Sequence, residues 1–181
     1  MQVRAQVAVG LVLTATALTA CATPSAPPAG TSPSAGIEAG ELPEGRDVTP
    51  FDSQYPAIRK LDGRLLQAIQ QAYDDAEAHG VTLFVTSGWR SQAYQQTLLD
   101  EGVKKYGSLE KARQFVNTPE KSAHVFGKAV DIGPADADDW LSRHGSDYGL
   151  CQTYANERWH FELLTTPGGE CPRPLTDAAG G

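Results

Sequence analysis

The chain has 181 residues, of which 40% are hydrophobic, and this is enough to bury the core of one domain. Its formal net charge is −7, and no basic stripe is present, so nucleic-acid binding has little support. The acidic balance is typical of a soluble surface and indicates no function by itself.

Residues 1–20 have the pattern of an export signal. Arg4 gives a positive start, and the apolar run over 7–20 is short for a membrane span but typical of a signal-peptide core. The run ends in Leu-Thr-Ala-Cys21, which resembles a bacterial lipobox. We therefore expect a lipoprotein-type signal peptide, with Cys21 lipidated and the mature chain anchored on the outer face of the cytoplasmic membrane. An ordinary signal peptide is the alternative, because the residues around Cys21 are small.

The stretch after Cys21 is rich in Pro, Ala, Ser, Gly and Thr and has few large apolar groups. Such a composition does not bury enough surface to become ordered. We expect residues 21–51 to form a disordered tether that begins at the lipidated cysteine. The folded domain is then expected over 52–175, followed by a disordered tail over 176–181.

Helical spacing and turn residues predict the first half of the domain. Apolar residues recur at helical spacing over 61–76, and Gly80 follows as a stop. Residues 81–86 favour a strand. Ser91 can cap a second helix that runs towards residue 107, and a short helix is expected over 109–116.

The second half of the domain is predicted to contain shorter elements. Residues 129–132 form an apolar strand, 136–144 a short helix and 159–163 an alternating strand with Trp159 and Phe161 towards the core. Helices first and short strands later indicate an α+β domain, in which helices pack on an antiparallel sheet.

Two blocks of residues combine groups that bind metal ions. They are Ser122-Ala-His124-Val-Phe-Gly127-Lys-Ala129-Val-Asp131 and Glu157-Arg-Trp159-His160. Two imidazoles and one carboxylate give three zinc ligands and leave a fourth position open, as in catalytic zinc sites. The additional glutamate could then activate water at the metal.

Strand geometry restricts how these residues can meet. His124 and Asp131 are seven positions apart and would face opposite sides of a straight strand, so the chain must turn between them. Gly127 permits that turn. Glu157 and His160 would likewise face opposite sides, so a bend or bulge is predicted between them.

Two cysteines remain once Cys21 is assigned to the anchor. An even pair in an exported chain favours a disulfide between Cys151 and Cys171. It would close a loop of about 20 residues, which is worth roughly 3 kcal/mol in the chain-entropy model. Two unpaired thiols are the alternative.

The two metal-binding blocks resemble the pattern of the zinc D-Ala-D-Ala peptidases of the VanY/VanX type, the M15 metallopeptidases. That pattern is Ser-x-His-x-x-Gly-x-Ala-x-Asp followed by Glu-x-Trp-His. Upstream, Ser-Gly-Trp89-Arg90-Ser is similar to the family's Ser-Gly-Tyr-Arg-Ser, and Gln95 stands where the family often has Gln. Trp89 in place of Tyr and Arg158 in place of Pro are departures, and neither removes a group that the chemistry needs.

The resemblance implies a small hedgehog/DD-peptidase-like fold and one Zn²⁺ ion held by His124, Asp131 and His160. It implies Glu157 as the catalytic acid and base.

The resemblance also implies that Arg90 is catalytic, through a contact to the substrate carbonyl or carboxylate, while Gln95 and Ser122 could bind the substrate. The expected function is a monomeric D,D-carboxypeptidase that hydrolyses the terminal D-Ala-D-Ala bond of peptidoglycan stem peptides. The alternatives are an endopeptidase of the same family and a non-hydrolytic, zinc-stabilised cell-wall-binding module. The presence of Glu157 favours hydrolysis over the latter.

Overall fold

In the part of the chain that the structure describes, four short strands form one antiparallel sheet in the order β1-β2-β4-β3. The computed structural model describes residues 35–180, so the signal peptide and the lipidation at Cys21 that the sequence predicts lie outside the described residues. The strands are β1 (Phe84–Ser87), β2 (Ala129–Gly133), β3 (Leu150–Tyr154) and β4 (Glu157–Leu163). The helices are α1 (Ala35–Ala39), α2 (Pro56–Arg59), α3 (Gly63–Ala78), α4 (Gln92–Tyr106), α5 (Leu109–Ala112) and α6 (Ala135–His144), with short 3-10 turns at Gly145–Tyr148 and Ala178–Gly180.

This architecture confirms the predicted α+β class, with helices packed on an antiparallel sheet. Between residues 35 and 180, no helix combines the length and apolar character needed to span a bilayer.

Helix α3 supplies much of the core opposite the sheet. The Asp62 side chain caps its first turn by accepting from the backbone N–H groups of Arg64 and Leu65. One apolar face of the helix is buried and contains Leu65, Ala68, Ile69, Ala72 and Ala76. From the sheet, the same buried cluster contains Val130, Ile132 and Phe161. The predicted helix over 61–76 is therefore confirmed, two residues further along the chain.

Helix α4 begins and ends where local chemistry predicts. The Ser91 hydroxyl oxygen accepts from the N–H of Tyr94, and Gly107 takes a left-handed conformation with φ 84°. Helix α5 ends earlier than expected, at Ala112 instead of 116. Its first turn is capped by Ser108. The chain continues as turns, in which the N–H groups of Phe115 and Val116 both donate to the Ala112 carbonyl oxygen.

Strand β3 was missed by sequence reasoning, and β1 begins at Phe84 instead of 81. The residues of β3, Leu-Cys-Gln-Thr-Tyr, lack a clean alternation, and four of the five are buried. Pairing with β4 and the covalent bond of Cys151 therefore hold this strand, and neither is visible in a local pattern.

The folded domain extends beyond both predicted limits. Helix α1 lies within the expected tether, and Val48 is fully buried and accepts a hydrogen bond of 2.7 Å from the N–H of Val85. At the other end, Ala178 is only 3% exposed. The expectation of disorder is thus wrong for residues 35–51 and 176–180. A few apolar residues with backbone hydrogen bonds suffice to fix these segments, although their average composition favours disorder.

The predicted disulfide is present. Cys151 and Cys171 are bonded, with their Cα atoms 5.6 Å apart. The bond ties the chain beyond β4 back to β3, at the edge of the sheet.

Candidate metal and catalytic site

Three side chains from separate parts of the chain converge on one point. His124 lies in the turn before β2, while Asp131 on β2 and His160 on β4 are direct partners in the antiparallel ladder. The turn depends on Gly127, whose φ is +67°, and a Cβ at this position would collide with the carbonyl oxygen of Lys60. The turn predicted at Gly127 is confirmed.

The three candidate ligand atoms form a nearly equilateral triangle. His124 Nε2 lies 3.2 Å from His160 Nδ1 and 3.3 Å from Asp131 Oδ1, and His160 Nδ1 lies 3.2 Å from the same Asp131 oxygen. Ligands at about 2.0–2.1 Å from a tetrahedral zinc ion are about 3.3 Å from each other. The donor set therefore fits zinc in both chemistry and size, and the triangle leaves a fourth coordination position for a water or a substrate oxygen.

Hydrogen bonds behind the triangle orient both imidazoles. His124 Nδ1 donates to the carbonyl oxygen of Gly88 at 2.8 Å, which leaves Nε2 free as a ligand. His160 Nε2 lies 3.0 Å from Glu162 Oε1, which leaves Nδ1 to face the other two ligands. Such outer partners fix the tautomer and ring orientation of metal-binding histidines.

Burial and neighbouring charges shift the pKa values of the three candidate ligands. Burial lowers the pKa of His124, which favours the neutral imidazole that a metal requires. Burial also opposes ionisation of Asp131, but His124, His160 and Arg90 hold the pKa of its carboxyl below the usual range. For His160, burial acts against protonation, but hydrogen bonds to Asp131 and Glu162 raise its pKa to about 9.

Glu157 lies beside the triangle as an additional carboxylate. Its Oε2 atom is 3.8 Å from His160 Nδ1, and the residue is 6% exposed. Its Oε1 atom is buried without a hydrogen-bond partner among the described residues. Burial raises the pKa of Glu157 to about 7, so the carboxyl can both accept and release a proton near neutral pH.

A bulge in β4 brings Glu157 to this face. Phe161 of β4 pairs with Gln152 of β3, and Glu157 pairs with Tyr154. Between these two pairs, β4 therefore contains more residues than β3. The extra residues break the alternation, so that Glu157 and His160 are both buried. The bulge predicted between them is confirmed. The prediction that Trp159 lies in the core is wrong. The same bulge leaves this side chain 41% exposed on the rim of the site.

Arg90 reaches the site from the loop after β1. Its Nη2 atom donates to Asp131 Oδ2 at 2.9 Å, Nη1 donates to Gln95 Oε1 at 3.1 Å, and Nε donates to the Ser87 hydroxyl at 2.8 Å. Gln95 was expected to bind substrate, and the structure places its amide oxygen on Arg90. Ser122 is buried and lines the same cavity.

The site opens into a cavity of about 300 Å³ between the sheet and the hairpin of α4 and α5. Its lining includes Asn117, Tyr154 and Ala178, which sequence reasoning missed. Asn117 and Ala178 lie outside the family pattern, and no periodicity marks them. Buried polar and small residues of this kind are recognised only once long-range contacts are known.

Residues 58–165 match the model of the VanY family, described as D-alanyl-D-alanine carboxypeptidase. The match contains Arg90 and all three candidate metal ligands. A D-alanyl-D-alanine carboxypeptidase of Enterococcus faecalis (strain ATCC 700802 / V583) is 28% identical, over 58% of this chain and 48% of the relative. This chain therefore spans about half the length of that curated relative.

Two solved structures share the fold of the described domain. One is the vancomycin resistance D,D-pentapeptidase VanY, a mutant from the VanB-type resistance cassette in complex with Zn(II), with a TM-score of 0.55, 28% identity and coverage of 57% of this chain and 72% of that chain. The other is VanYB in complex with D-alanine-D-alanine, with a TM-score of 0.55, 27% identity and coverage of 57% and 71%.

Proposed function

This chain belongs to the VanY family of D-alanyl-D-alanine carboxypeptidases, and on that basis we propose that it is a zinc-dependent D,D-carboxypeptidase of peptidoglycan stem peptides. The observation that carries the proposal is the triangle of His124, Asp131 and His160 with the buried Glu157 beside it. A closed structural zinc site has no need of a spare carboxylate, whereas hydrolysis requires one. One of the similar structures is a complex with Zn(II) and the other a complex with D-alanine-D-alanine, which supports the same metal and substrate class here.

The three ligands would hold one zinc ion, which when bound supplies Lewis acidity towards the scissile carbonyl and towards water. Glu157 takes the proton from the attacking water and passes it to the amine of the leaving D-alanine. Its burial serves both steps, because a carboxyl with a pKa of about 7 is a stronger base than an exposed one and still donates at neutral pH.

Arg90 places a positive group against the metal ligand Asp131, with Nη2 2.9 Å from Oδ2. Two of its N–H bonds are directed to Asp131 and Gln95, and each terminal nitrogen has a second N–H. We propose that these remaining donors contact the substrate carbonyl or carboxylate, with Ser122 adding a hydrogen bond. Loss of such a donor typically lowers the rate about 10²–10³-fold, so Arg90→Lys is expected to be severely impaired.

We also propose that the chain is exported and anchored by a lipid on Cys21, and that it acts as a monomer. The disulfide between Cys151 and Cys171 supports an oxidising compartment. Replacing Cys21 with Ser should abolish incorporation of labelled palmitate and release the protein from the membrane fraction. Retention of both in the variant would contradict lipidation at Cys21. A protein with Cys21 intact that takes up no palmitate and is released from the membrane would instead support the ordinary signal peptide.

Incubation with a stem pentapeptide, with and without a chelator, tests the activity. The proposal predicts metal-dependent release of free D-alanine. Release of a different fragment would assign the chain to the endopeptidases of the same family. Tight binding of the peptide without cleavage would identify a non-hydrolytic cell-wall-binding module.

A further inference from the structure

A continuous series of hydrogen bonds connects the C-terminal residues of the domain to the metal site. We propose that Asn117 is a positioning residue of the active site, and that the terminal segment, residues 175–180, is the part of the fold that holds it. The inference rests on the proposed function in so far as it concerns activity. The expected effect of Asn117 on zinc affinity does not depend on the proposed activity.

The terminal segment is attached to the sheet before it reaches the site. The Leu175 N–H donates to the carbonyl oxygen of Thr153 at 2.9 Å, and the Ala155 N–H donates to the Leu175 carbonyl oxygen at 2.8 Å. The disulfide of Cys171 fixes the chain a few residues earlier. The segment therefore enters the cavity from a position that two backbone hydrogen bonds and a nearby disulfide define.

Ala178 is where the terminal segment meets the cavity. It is 3% exposed and belongs to the cavity lining. Its carbonyl oxygen accepts a hydrogen bond of 3.0 Å from Asn117 Nδ2, and its N–H lies 3.4 Å from the Gln114 carbonyl oxygen. Asn117 is 7% exposed, and its Oδ1 atom accepts from the N–H of Thr118 at 3.0 Å. The side chain of Asn117 thus joins the terminal segment to the loop after α5.

The backbone of Asn117 continues the series towards the metal ligands. Its carbonyl oxygen accepts from Gln95 Nε2 at 2.8 Å, and Gln95 is 1% exposed. Gln95 Oε1 then accepts from Arg90 Nη1 at 3.1 Å, and Arg90 Nη2 donates to Asp131 Oδ2 at 2.9 Å. The guanidinium of Arg90 is therefore oriented from one side by the metal ligand and from the other by Gln95.

Because the side chains in this series are buried, the loss of any one hydrogen bond should displace its neighbours. A buried amide that loses its partner bears the cost of desolvation without compensation, so its neighbours shift to recover the hydrogen bond. A shift at Asn117 would pass through Gln95 to Arg90, and so to the second oxygen of Asp131. Outer partners of metal ligands typically contribute about 10–100-fold to metal affinity or activity.

The first test is Asn117→Ala, with zinc affinity measured by competition with a chelator and turnover measured on a stem pentapeptide. We expect zinc affinity about tenfold weaker and kcat about tenfold lower, with KM changed less. The second test measures Gln95→Leu, alone and combined with Asn117→Ala. Since both act through Arg90, the double variant should be no worse than the poorer single variant. Additive losses, or zinc affinity and kcat at the wild-type level in Asn117→Ala, would overturn the proposal.

A matched pair of truncations tests the terminal segment without altering Asn117. A stop after Thr176 keeps both backbone bonds of Leu175 and the disulfide but removes Ala178, and it should reproduce the effect of Asn117→Ala. A stop after Ala179 keeps the Ala178 carbonyl within a peptide bond, and this variant should behave as the untruncated chain. Equal zinc affinity and kcat in the two truncations would refute a role for the segment, even if Asn117→Ala failed to fold. A wild-type protein that binds zinc but releases no D-alanine would refute the proposed function and leave the zinc measurements as the test here.

Discussion

Asp131 and His160 face each other across the ladder of β2 and β4, with Asp131 Oδ1 3.2 Å from His160 Nδ1. Two of the three candidate ligands are thus fixed by backbone hydrogen bonds at the centre of the sheet. Only His124 comes from a turn, and its ring is held by the carbonyl oxygen of Gly88. This arrangement makes the site preformed, because few rotatable bonds separate the donor atoms from regular structure.

Replacing a metal ligand should reduce zinc content. We expect His124→Ala and His160→Ala to lose most bound zinc after gel filtration, because two remaining donors cannot complete a stable tetrahedral site. Metal analysis of the purified variants measures this directly. His79→Ala is a control, since this exposed histidine lies at the end of α3, outside the ligand triangle. Full zinc retention in a ligand variant would remove that residue from the site.

Replacing Glu157 should separate metal binding from hydrolysis. Glu157→Gln keeps the shape of the side chain but cannot accept a proton, so we expect turnover to fall about 10²–10⁴-fold. Zinc content should stay near the wild-type level, because Glu157 is not a corner of the ligand triangle. Metal analysis beside a D-alanine release assay makes the comparison. Turnover within a few-fold of wild type would show that another group transfers the proton.

Asp138 should destabilise the folded domain at neutral pH. It is 7% exposed, its Oδ1 atom lacks a hydrogen-bond partner among the described residues, and burial raises its pKa to about 6. The folded state therefore prefers the protonated form. The destabilisation of the folded domain is complete above about pH 6. It disappears as the pH falls through 3.8, the ordinary pKa of an aspartate. With allowance for solvent screening, we expect about 1 kcal/mol.

Asp138→Asn removes this charge and should raise the unfolding temperature at pH 7.5, with a smaller gain at pH 4. Asp136→Asn is the control, because Asp136 is an exposed residue in the same first turn of α6. Equal gains at both pH values in Asp138→Asn would mean that ionisation of Asp138 is not the cause.

Loss of the disulfide should lower the stability of the folded domain. The bridge spans a separation of 20 residues, and a loop of this size contributes about 3 kcal/mol in the chain-entropy model. We expect this loss in the free energy of unfolding for the Cys151→Ser and Cys171→Ser double variant, measured by denaturant titration. An unchanged free energy of unfolding would show that the chain after β4 is held without the bridge.

Sequence reasoning succeeded where a property depends on neighbouring residues. Ser91 as a cap, the end of α4 near residue 107 and the turn at Gly127 follow from local chemistry. The bulge between Glu157 and His160 followed from strand parity, because both side chains had to reach one face. The spacing of the metal-binding residues, together with the family resemblance, indicated the site before any fold was known.

The sequence by itself therefore determined the kinds of chemical groups at the site and the local turns that allow them to meet. The tertiary structure decided what surrounds them: the exposure of Trp159, the ordering of residues 35–51 and the placement of Ala178 beside Asn117. These features depend on contacts between residues far apart in the chain, and their free energy comes from burial and hydrogen bonds that exist only after folding. A local pattern has no record of such contacts, which is why the positioning role proposed for Asn117 emerged from the structure alone.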